Sequence, residues 1–260
     1  MKDPRKFDFT DRKNEFTTGE NEFTVRENEF MTGENEFTVR KYEFTARELN
    51  LSLADFVEKL PGGREETEAF AQDISQVIID AQTFIQAKAA YRLLTQTSLV
   101  GNILKLEDRD LHIGKILSKE LQHTEKIAVF VCTAGDQIEK LYRRYLKQGD
   151  SLSAFFADLL GTIAVEKTLE LLYQKLEQTF LSLGMHTGQA FSPGDCGWPL
   201  AEQAALFSLL PENCCGIGLN QSMLMLPQKS LSGIIPLGEN LKRGKHQCSV
   251  CSSHNCPYRN

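Results

Sequence analysis

Residues 192–233 read SPGDCGWPLAEQAALFSLLPENCCGIGLNQSMLMLPQKSLSG and hold most of the chain's unusual residues in one place. A Pro-Gly turn carries a cysteine and the only tryptophan, Trp198, and a short amphipathic segment follows. The stretch then passes a Cys-Cys-Gly break and two apolar runs that meet at LPQKS. Because binding residues are concentrated in such turns and loops, we expect this stretch to line the functional site.

Length and composition are those of an ordinary water-soluble globular protein: 260 residues, 41% hydrophobic and 25% charged. The formal net charge of −6 argues against a nucleic-acid binder, which is usually basic. No run of about 20 apolar residues is present, and the basic residues near the N-terminus are not followed by an apolar core. We therefore expect a cytoplasmic protein with neither nucleic acid nor a membrane among its partners.

The first fifty residues repeat every seven positions, as in NEFTTGE, NEFTVRE and NEFMTGE. A coiled coil needs apolar residues at two positions of each heptad, but here a single phenylalanine recurs among Thr, Asn and Gly. We therefore predict that residues 1–48 are a disordered, low-complexity heptad-repeat tail and that 49–240 form one domain. Residues 241–260 are expected to carry a cysteine motif that folds onto this domain.

Hydrophobic periodicity predicts the helices and strands of the remaining chain. A long amphipathic helix is expected over residues 64–95, because apolar residues recur there at helical spacing. The apolar run IAVFVC at 127–132 is the clearest strand, and 151–182 is the longest helical pattern. Further helices are predicted over 53–60, 113–121, 138–146 and 200–210, and further strands over 103–106, 217–219, 222–226 and 231–237, the last two as a hairpin across 227–230.

Several motifs, taken in order, resemble one known family. They are TAGDQIEKL at 133–141, DLLGTIAVE at 158–166, SPGDCGWPLAEQAALFSLL from 192, GIGLNQSMLMLPQKSLSGIIP from 216 and CSVCSSHNCPYR from 248. Together they are similar to the activation domain of vitamin B12-dependent methionine synthase, above all to short stand-alone relatives that supply reactivation as a separate subunit. The resemblance covers residues 64–260.

The resemblance implies an α+β fold with a twisted, mainly antiparallel sheet and long flanking helices. It also implies an auxiliary subunit that returns oxidised, inactive cob(II)alamin to its methylated form. A flavodoxin-type or ferredoxin-type donor would supply one electron, and S-adenosylmethionine the methyl group. The cobalamin would be held by the partner, a cobalamin-dependent methionine synthase or another corrinoid methyltransferase, while this chain places the methyl donor in a water-poor site.

On the same basis, cofactor-binding residues are expected in the Pro-Gly turn and in the Ser-x-Ser-Gly strand, and no catalytic residue is assigned. The family's methyl-donor site has an arginine just before the Pro-Gly turn and a tyrosine just after it. This chain has Ala190 and Asp195 at those places. The predicted cofactor-binding residues are Pro193, Gly194, Asp195, Trp198, Ser230, Ser232 and Gly233.

Three of the seven cysteines, Cys248, Cys251 and Cys256, lie in the C-terminal run CSVCSSHNCP. A two-residue gap allows two thiolates to face one metal, and the third cysteine extends the ligand set. We predict a metal site that holds a [4Fe-4S] cluster or zinc, and we favour the cluster because the implied activity consumes electrons. The leading candidates for a fourth ligand are Cys196, which we favour because it lies in the Pro-Gly turn, and Cys215, followed by Cys214 and His254.

Three functions from different classes remain open: reductive reactivation, a non-catalytic module that docks onto a corrinoid protein, and an electron-transfer module that reduces the partner's cobalt. Individual residues also have structural interpretations. Trp198 is a candidate core residue, Cys132 a small buried hydrophobe, and Glu166 with Lys167 a solvated helix face rather than part of a site. The alternative to the metal site is that Cys248, Cys251 and Cys256 stay unligated or form a redox disulfide.

Overall fold

The structure is a computed structural model that describes residues 28–32, 37–95 and 97–243, with side chains from Val39 onward. Its strands form three antiparallel sheets. The small ones are β4 (Thr97–Val100), β5 (Ile103–Leu106) and β6 (Arg109–His112), and β9 (Gly218–Leu219) with β10 (Met225–Leu226). The main sheet contains β1 (Asn28–Thr32), β2 (Phe37–Phe44), β3 (Ala87–Leu94), β7 (Lys126–Thr133), β8 (His186–Thr187) and β11 (Ser230–Gly238).

The order of strands in the main sheet is β1-β2-β3-β7-β11-β8, and each pair of neighbours is antiparallel. The helices are α1 (Ala54–Val57), α2 (Gly63–Ala69), α3 (Ala71–Ala81), α4 (Gly114–Glu120), α5 (Gln137–Lys147), α6 (Ser151–Phe180) and α7 (Gln203–Phe207). The predicted α+β class with a mainly antiparallel sheet is confirmed. No helix within the described residues has the length and apolarity needed to cross a membrane.

Helices cover one side of the main sheet, which we call the helical face. There the side chains of Tyr91, Phe130 and Ile235 belong to one apolar cluster with buried residues of α3, α5 and α6. The long α6 begins at a capped end, because the Asp150 carboxylate accepts a hydrogen bond from the Ser153 amide at 2.9 Å. Burial of one continuous stripe on this helix, rather than helix propensity alone, keeps it in place.

Loops, short strands and turns cover the opposite side, which we call the irregular face. There Ala90, Val129 and Ile234 share a second apolar cluster with residues of α4, of the β4–β6 sheet and of the turn at 191–198. Arg92 on β3 links the main sheet to the β4–β6 sheet, because its guanidinium contacts the carboxylate of Glu107, between β5 and β6, at 2.7 Å. It also donates to the Leu209 carbonyl at 3.1 Å. The candidate site therefore borders a face that is held together by irregular backbone.

Most predicted elements are confirmed within a few residues, including 53–60 as α1, 103–106 as β5, 113–121 as α4 and 127–132 as β7. The two helices predicted at 138–146 and 151–182 are α5 and α6. The helix predicted at 200–210 is a 3-10 turn at Leu200–Glu202 followed by α7.

The predicted helix over 64–95 is wrong in its second half. The helical part consists of α2 and α3 and ends with α3 at Ala81. The run AKAAYRLL that follows is strand β3, which pairs with β2 on one side and with β7 on the other. Both faces of β3 are buried, so its sequence lacks the alternation of a half-exposed strand, and its alanines favour a helical interpretation.

Two further predictions need correction. Folded sequence begins before Leu49, because Phe37–Phe44 is strand β2 of the main sheet and buries Val39, Tyr42 and Phe44. Of the predicted tail, residues 1–27 and 33–36 lie outside the described residues. The predicted hairpin across 227–230 is also wrong, because β10 pairs with β9, while β11 enters the main sheet between β7 and β8.

Candidate functional site

The Pro-Gly turn at 192–198 is wound by backbone hydrogen bonds. Just before it, Phe191 exchanges two bonds with Ile234 of β11, at 2.9 and 3.0 Å. Within the turn the Gly194 amide donates to the Trp198 carbonyl at 2.7 Å, and the Trp198 amide donates to the Asp195 carbonyl at 2.8 Å. Three residues have positive φ, among them the non-glycine Cys196 at 50°. The main sheet therefore fixes the position of this turn.

The predicted residues on β11 are built into the sheet. The Ser230 hydroxyl lies 2.7 Å from the Pro227 carbonyl and 2.9 Å from the Thr133 hydroxyl. Ser232 is 1% exposed, and its hydroxyl has no hydrogen-bond partner among the described residues. A Cβ atom added at Gly233 would lie 2.2 Å from the Phe191 carbonyl oxygen, so this glycine permits the close antiparallel approach of the two backbones.

The structure thus divides the predicted cofactor-binding residues into two groups. Gly194 is exposed and Asp195 is half-buried, so both are accessible at the surface of the turn. The buried group belongs to the core or to the sheet and positions the turn rather than lining an open cavity. Its members are Pro193, Trp198, Ser230, Ser232 and Gly233.

The structure describes one member of the predicted metal site. Cys196 is 6% exposed and belongs to the apolar cluster of the irregular face. Cys248, Cys251 and Cys256 lie outside the described residues. Within the described part of the chain, no group of three or more His, Cys, Asp or Glu side chains is arranged to hold a metal ion.

An open cavity of about 430 Å³ lies between α1, α6 and the segment after β11, and we call it the acid-base cavity. Ion pairs line it: Lys167 with Asp55 at 2.7 Å and Lys59 with Glu166 at 2.6 Å. Its charged lining residues are Asp55, Glu58, Lys59, Glu166, Lys167, Glu170 and Arg243. Of these, the sequence singled out only Glu166 and Lys167.

Arg243 connects this cavity to the strand that leads into the Pro-Gly turn. Its guanidinium contacts the Glu170 carboxylate at 3.2 Å and lies 3.9 Å from the centre of the Tyr173 ring. The Tyr173 hydroxyl in turn donates to the Gly188 carbonyl at 3.3 Å, and burial raises the pKa of this phenol. In the sequence Arg243 belongs to the basic run NLKRGKH, which has the composition of a linker, so nothing local reveals this contact.

A second cavity, of about 490 Å³, lies where β3 begins and β7 ends, and we call it the sheet-end cavity. Lys88 and Thr133 line it from the sheet, Asp136 and Glu139 from the start of α5, and Cys215 from the loop after α7. It combines a base, two carboxylates and a thiol, and of these residues the sequence singled out only Cys215, as a candidate fourth metal ligand.

A sequence profile of the family described as "Vitamin B12 dependent methionine synthase, activation domain" matches residues 114–243, from the start of α4 to Arg243. Among solved structures, the crystal structure of the MetH reactivation domain bound to AdoHcy is similar, with a TM-score of 0.63 and 16% identity over 80% of this chain and 81% of that one. At this identity the match establishes a shared fold. No curated protein matches the chain.

Proposed function

The chain belongs to the family of vitamin B12-dependent methionine synthase activation domains, and on that premise we propose that it is an auxiliary subunit for reductive reactivation of a cobalamin-dependent methyltransferase. Its first candidate partner is methionine synthase, and the reaction is S-adenosylmethionine-linked remethylation of cob(II)alamin. The observation that carries the proposal is the profile match over 114–243, because this range contains α6, the Pro-Gly turn, β11 and Arg243 together.

The acid-base cavity fits S-adenosylmethionine by size and by charge. A volume of about 430 Å³ is within the range of small-molecule sites. The ligand carries a carboxylate, an ammonium group and a sulfonium, so it needs a cation and anions close together. Arg243 would hold the carboxylate, while Glu166 and Glu170 would hold the positive groups. When bound, S-adenosylmethionine supplies the methyl group.

Arg243 also offers the charge that the sequence lacks at Ala190. The Tyr173 side chain is the link, because its ring contacts Arg243 and its hydroxyl contacts the backbone just before Ala190. A guanidinium from the end of the domain thus lies close to the strand on which the resemblance expects an arginine. This placement supports binding of the methyl donor in a chain that has Ala190.

The accessible Gly194 and Asp195 are proposed to contact the methyl donor or the partner's corrinoid, and the buried residues of the predicted set hold them in place. The cobalamin itself is proposed to belong to the partner, with a flavodoxin-type or ferredoxin-type protein as electron donor. Cys248, Cys251, Cys256 and Cys196 remain the proposed ligands of a [4Fe-4S] cluster or zinc. Metal analysis of the purified chain and of Cys196→Ser tests this part, since loss of metal in that variant is the expected result.

Calorimetric titration with S-adenosylmethionine tests the binding proposal. We expect the wild type to bind and Arg243→Ala to raise Kd by about tenfold or more, because a charge-assisted contact contributes about 1.5–3 kcal/mol. Glu166→Gln should also weaken binding. The matched control is Arg109→Ala on β6, because this arginine is 47% exposed, lies in the separate β4–β6 sheet and does not line the cavity. Its Kd should equal that of the wild type.

A second measurement separates reactivation from docking alone. A cob(II)alamin-loaded methionine synthase is mixed with this chain, S-adenosylmethionine and a one-electron donor, and methylcobalamin formation is followed by absorbance. Methylcobalamin that forms only when this chain is present would support reactivation. A stable complex without methylcobalamin and without binding of S-adenosylmethionine would instead support the docking module.

A further inference from the structure

Cys214 and Cys215 form a tight turn in the loop between α7 and β9. Asn213, Cys215 and Gly216 all have positive φ, at 53°, 56° and 74°. For a residue with a side chain this conformation costs about 1 kcal/mol or more. Two short backbone hydrogen bonds hold it, from the Gly216 amide to the Asn213 carbonyl at 2.8 Å and from the Ile217 amide to the Cys214 carbonyl at 3.0 Å. The backbone of both cysteines is therefore held in one conformation.

The turn places the thiols of two adjacent residues in different surroundings. Cys214 is 3% exposed and belongs to the apolar cluster of the irregular face. Cys215 is half-buried and lines the sheet-end cavity beside Gly216. Each thiol affects the ionisation of the other. Cys215 thus faces a ligand in the cavity, and Cys214, the preceding residue, is buried beside it.

The electrostatics of the pair favour one thiolate. The hydrogen bond from Cys215 lowers the pKa of Cys214, and the nearby Lys41 ammonium lowers it further. The same hydrogen bond, together with burial, raises the pKa of Cys215. Cys214 differs in this from the isolated Cys132, whose pKa is raised by burial. A thiolate is the form of cysteine that attacks electrophiles and binds soft metals.

We propose that Cys214 and Cys215 form a dithiol site that captures one soft, thiophilic electrophile between both sulfurs, with the rest of the ligand in the sheet-end cavity. The cavity has room for a small organic group, at about 490 Å³. With a trivalent organoarsenic oxide the step is a condensation: the two thiol protons and the arsenic-bound oxygen leave as water. Two arsenic–sulfur bonds form, the bonds to oxygen break, and arsenic stays trivalent, so no oxidant is needed.

The test uses the full-length chain with Cys248, Cys251 and Cys256 replaced by serine, so that of seven cysteines four remain. Phenylarsine oxide is the probe, and intact mass and free-thiol titration are the readouts. We expect one adduct per chain and two free thiols. Cys214→Ser and Cys215→Ser, each in this background, should weaken capture by about 100-fold, because a single sulfur loses the advantage of binding the arsenic twice.

Cys132→Ser and Cys196→Ser are the matched controls, and each should still form the adduct. Peptide mapping of the adduct in the background chain adds a readout that does not depend on folding of the variants, since the arsenic should lie on the peptide that contains Cys214 and Cys215. An adduct mapped to another pair of cysteines would overturn the proposal. The same holds for adduct formation of equal affinity in Cys215→Ser, or for no adduct in the background chain.

Discussion

The helical face and the irregular face of the main sheet stabilise the same strands by different means. On the helical face, aromatic and aliphatic side chains pack under long helices, as Phe156 does against the rings of Phe56 and Phe70. On the irregular face, single contacts fix the backbone, such as the close approach of Phe191 to Gly233 beside the Phe191–Ile234 bridge. The first arrangement depends on side-chain volume and the second on backbone conformation. The turn that carries Cys196 and the turn that carries Cys214 and Cys215 lie on the irregular face, where the backbone conformation sets the direction of individual side chains.

Loss of volume on the helical face should have the largest effect on stability. Phe156→Ala is expected to lower the free energy of unfolding by about 4 kcal/mol, because the side chain is 1% exposed and its removal leaves a cavity. Phe155→Ala is the matched control, since its ring is 50% exposed on the same helix, and it should change stability far less. Urea unfolding of both variants gives the comparison. Equal losses would mean that α6 is not anchored by its buried stripe.

Added volume on the irregular face should have the next largest effect. Gly233→Ala is expected to cost about 3 kcal/mol, because the new Cβ lies 2.2 Å from a backbone oxygen that cannot move without breaking the Phe191–Ile234 bridge. Gly101→Ala serves as the control: its φ is +61°, but no atom lies within 4 Å of the new Cβ, so about 1 kcal/mol is expected. Because the φ of Gly233 is not in the left-handed region, equal losses in the two variants would mean that the Phe191 backbone shifts to accommodate the new Cβ.

The same difference explains what the sequence could predict. Helix α6 repeats its apolar residues at helical spacing, and its bounds are predicted to within two residues. The strands that lie on the irregular face are two to four residues long, too short to show a period, and β4 and β6 are absent from the prediction. Strand β3 is misread because both its faces are buried.

The candidate site follows the same rule. The motif order locates the Pro-Gly turn and β11, and the core interpretation of Trp198 is confirmed, but the sequence does not reveal that Ser230 and Ser232 are also buried. That depends on which loops cover the sheet, and such contacts join residues far apart in the chain. Arg243 and Tyr173 illustrate this, because 70 positions of sequence separate a contact of 3.9 Å.

Two serines on β11 distinguish satisfied from unsatisfied polar groups on the irregular face. Ser230→Ala should lower stability by about 1 kcal/mol, because its hydroxyl contacts the Thr133 hydroxyl and the Pro227 carbonyl. Ser232→Ala should leave stability unchanged or raise it by up to about 1 kcal/mol, since it removes a buried hydroxyl without a partner among the described residues. Thermal and urea unfolding measure both. A loss of stability in Ser232→Ala would indicate that an ordered water satisfies this hydroxyl.

The smallest effect is expected at Asp80, at the edge of the helical face. Burial tends to raise the pKa of this carboxyl, but hydrogen bonds from Tyr145 and Gln76 and the Arg144 guanidinium outweigh burial and hold it below its usual range. A carboxyl with a lowered pKa in the folded state stabilises the protein above its unfolded pKa of about 3.9, and this contribution is lost as the pH falls through the folded pKa.

Asp80→Asn should therefore lower the free energy of unfolding at pH 7 by about 1 kcal/mol or less, because the pairs are partly exposed. At pH 3 and below, the difference from the wild type should shrink, since the wild-type carboxyl then becomes protonated. Asp110→Asn on the exposed side of β6 is the control for a loss of charge on the irregular side. A difference that stays constant from pH 7 to pH 2 would show that the hydrogen-bond geometry of Asp80, and not its charge, joins α3 to α5.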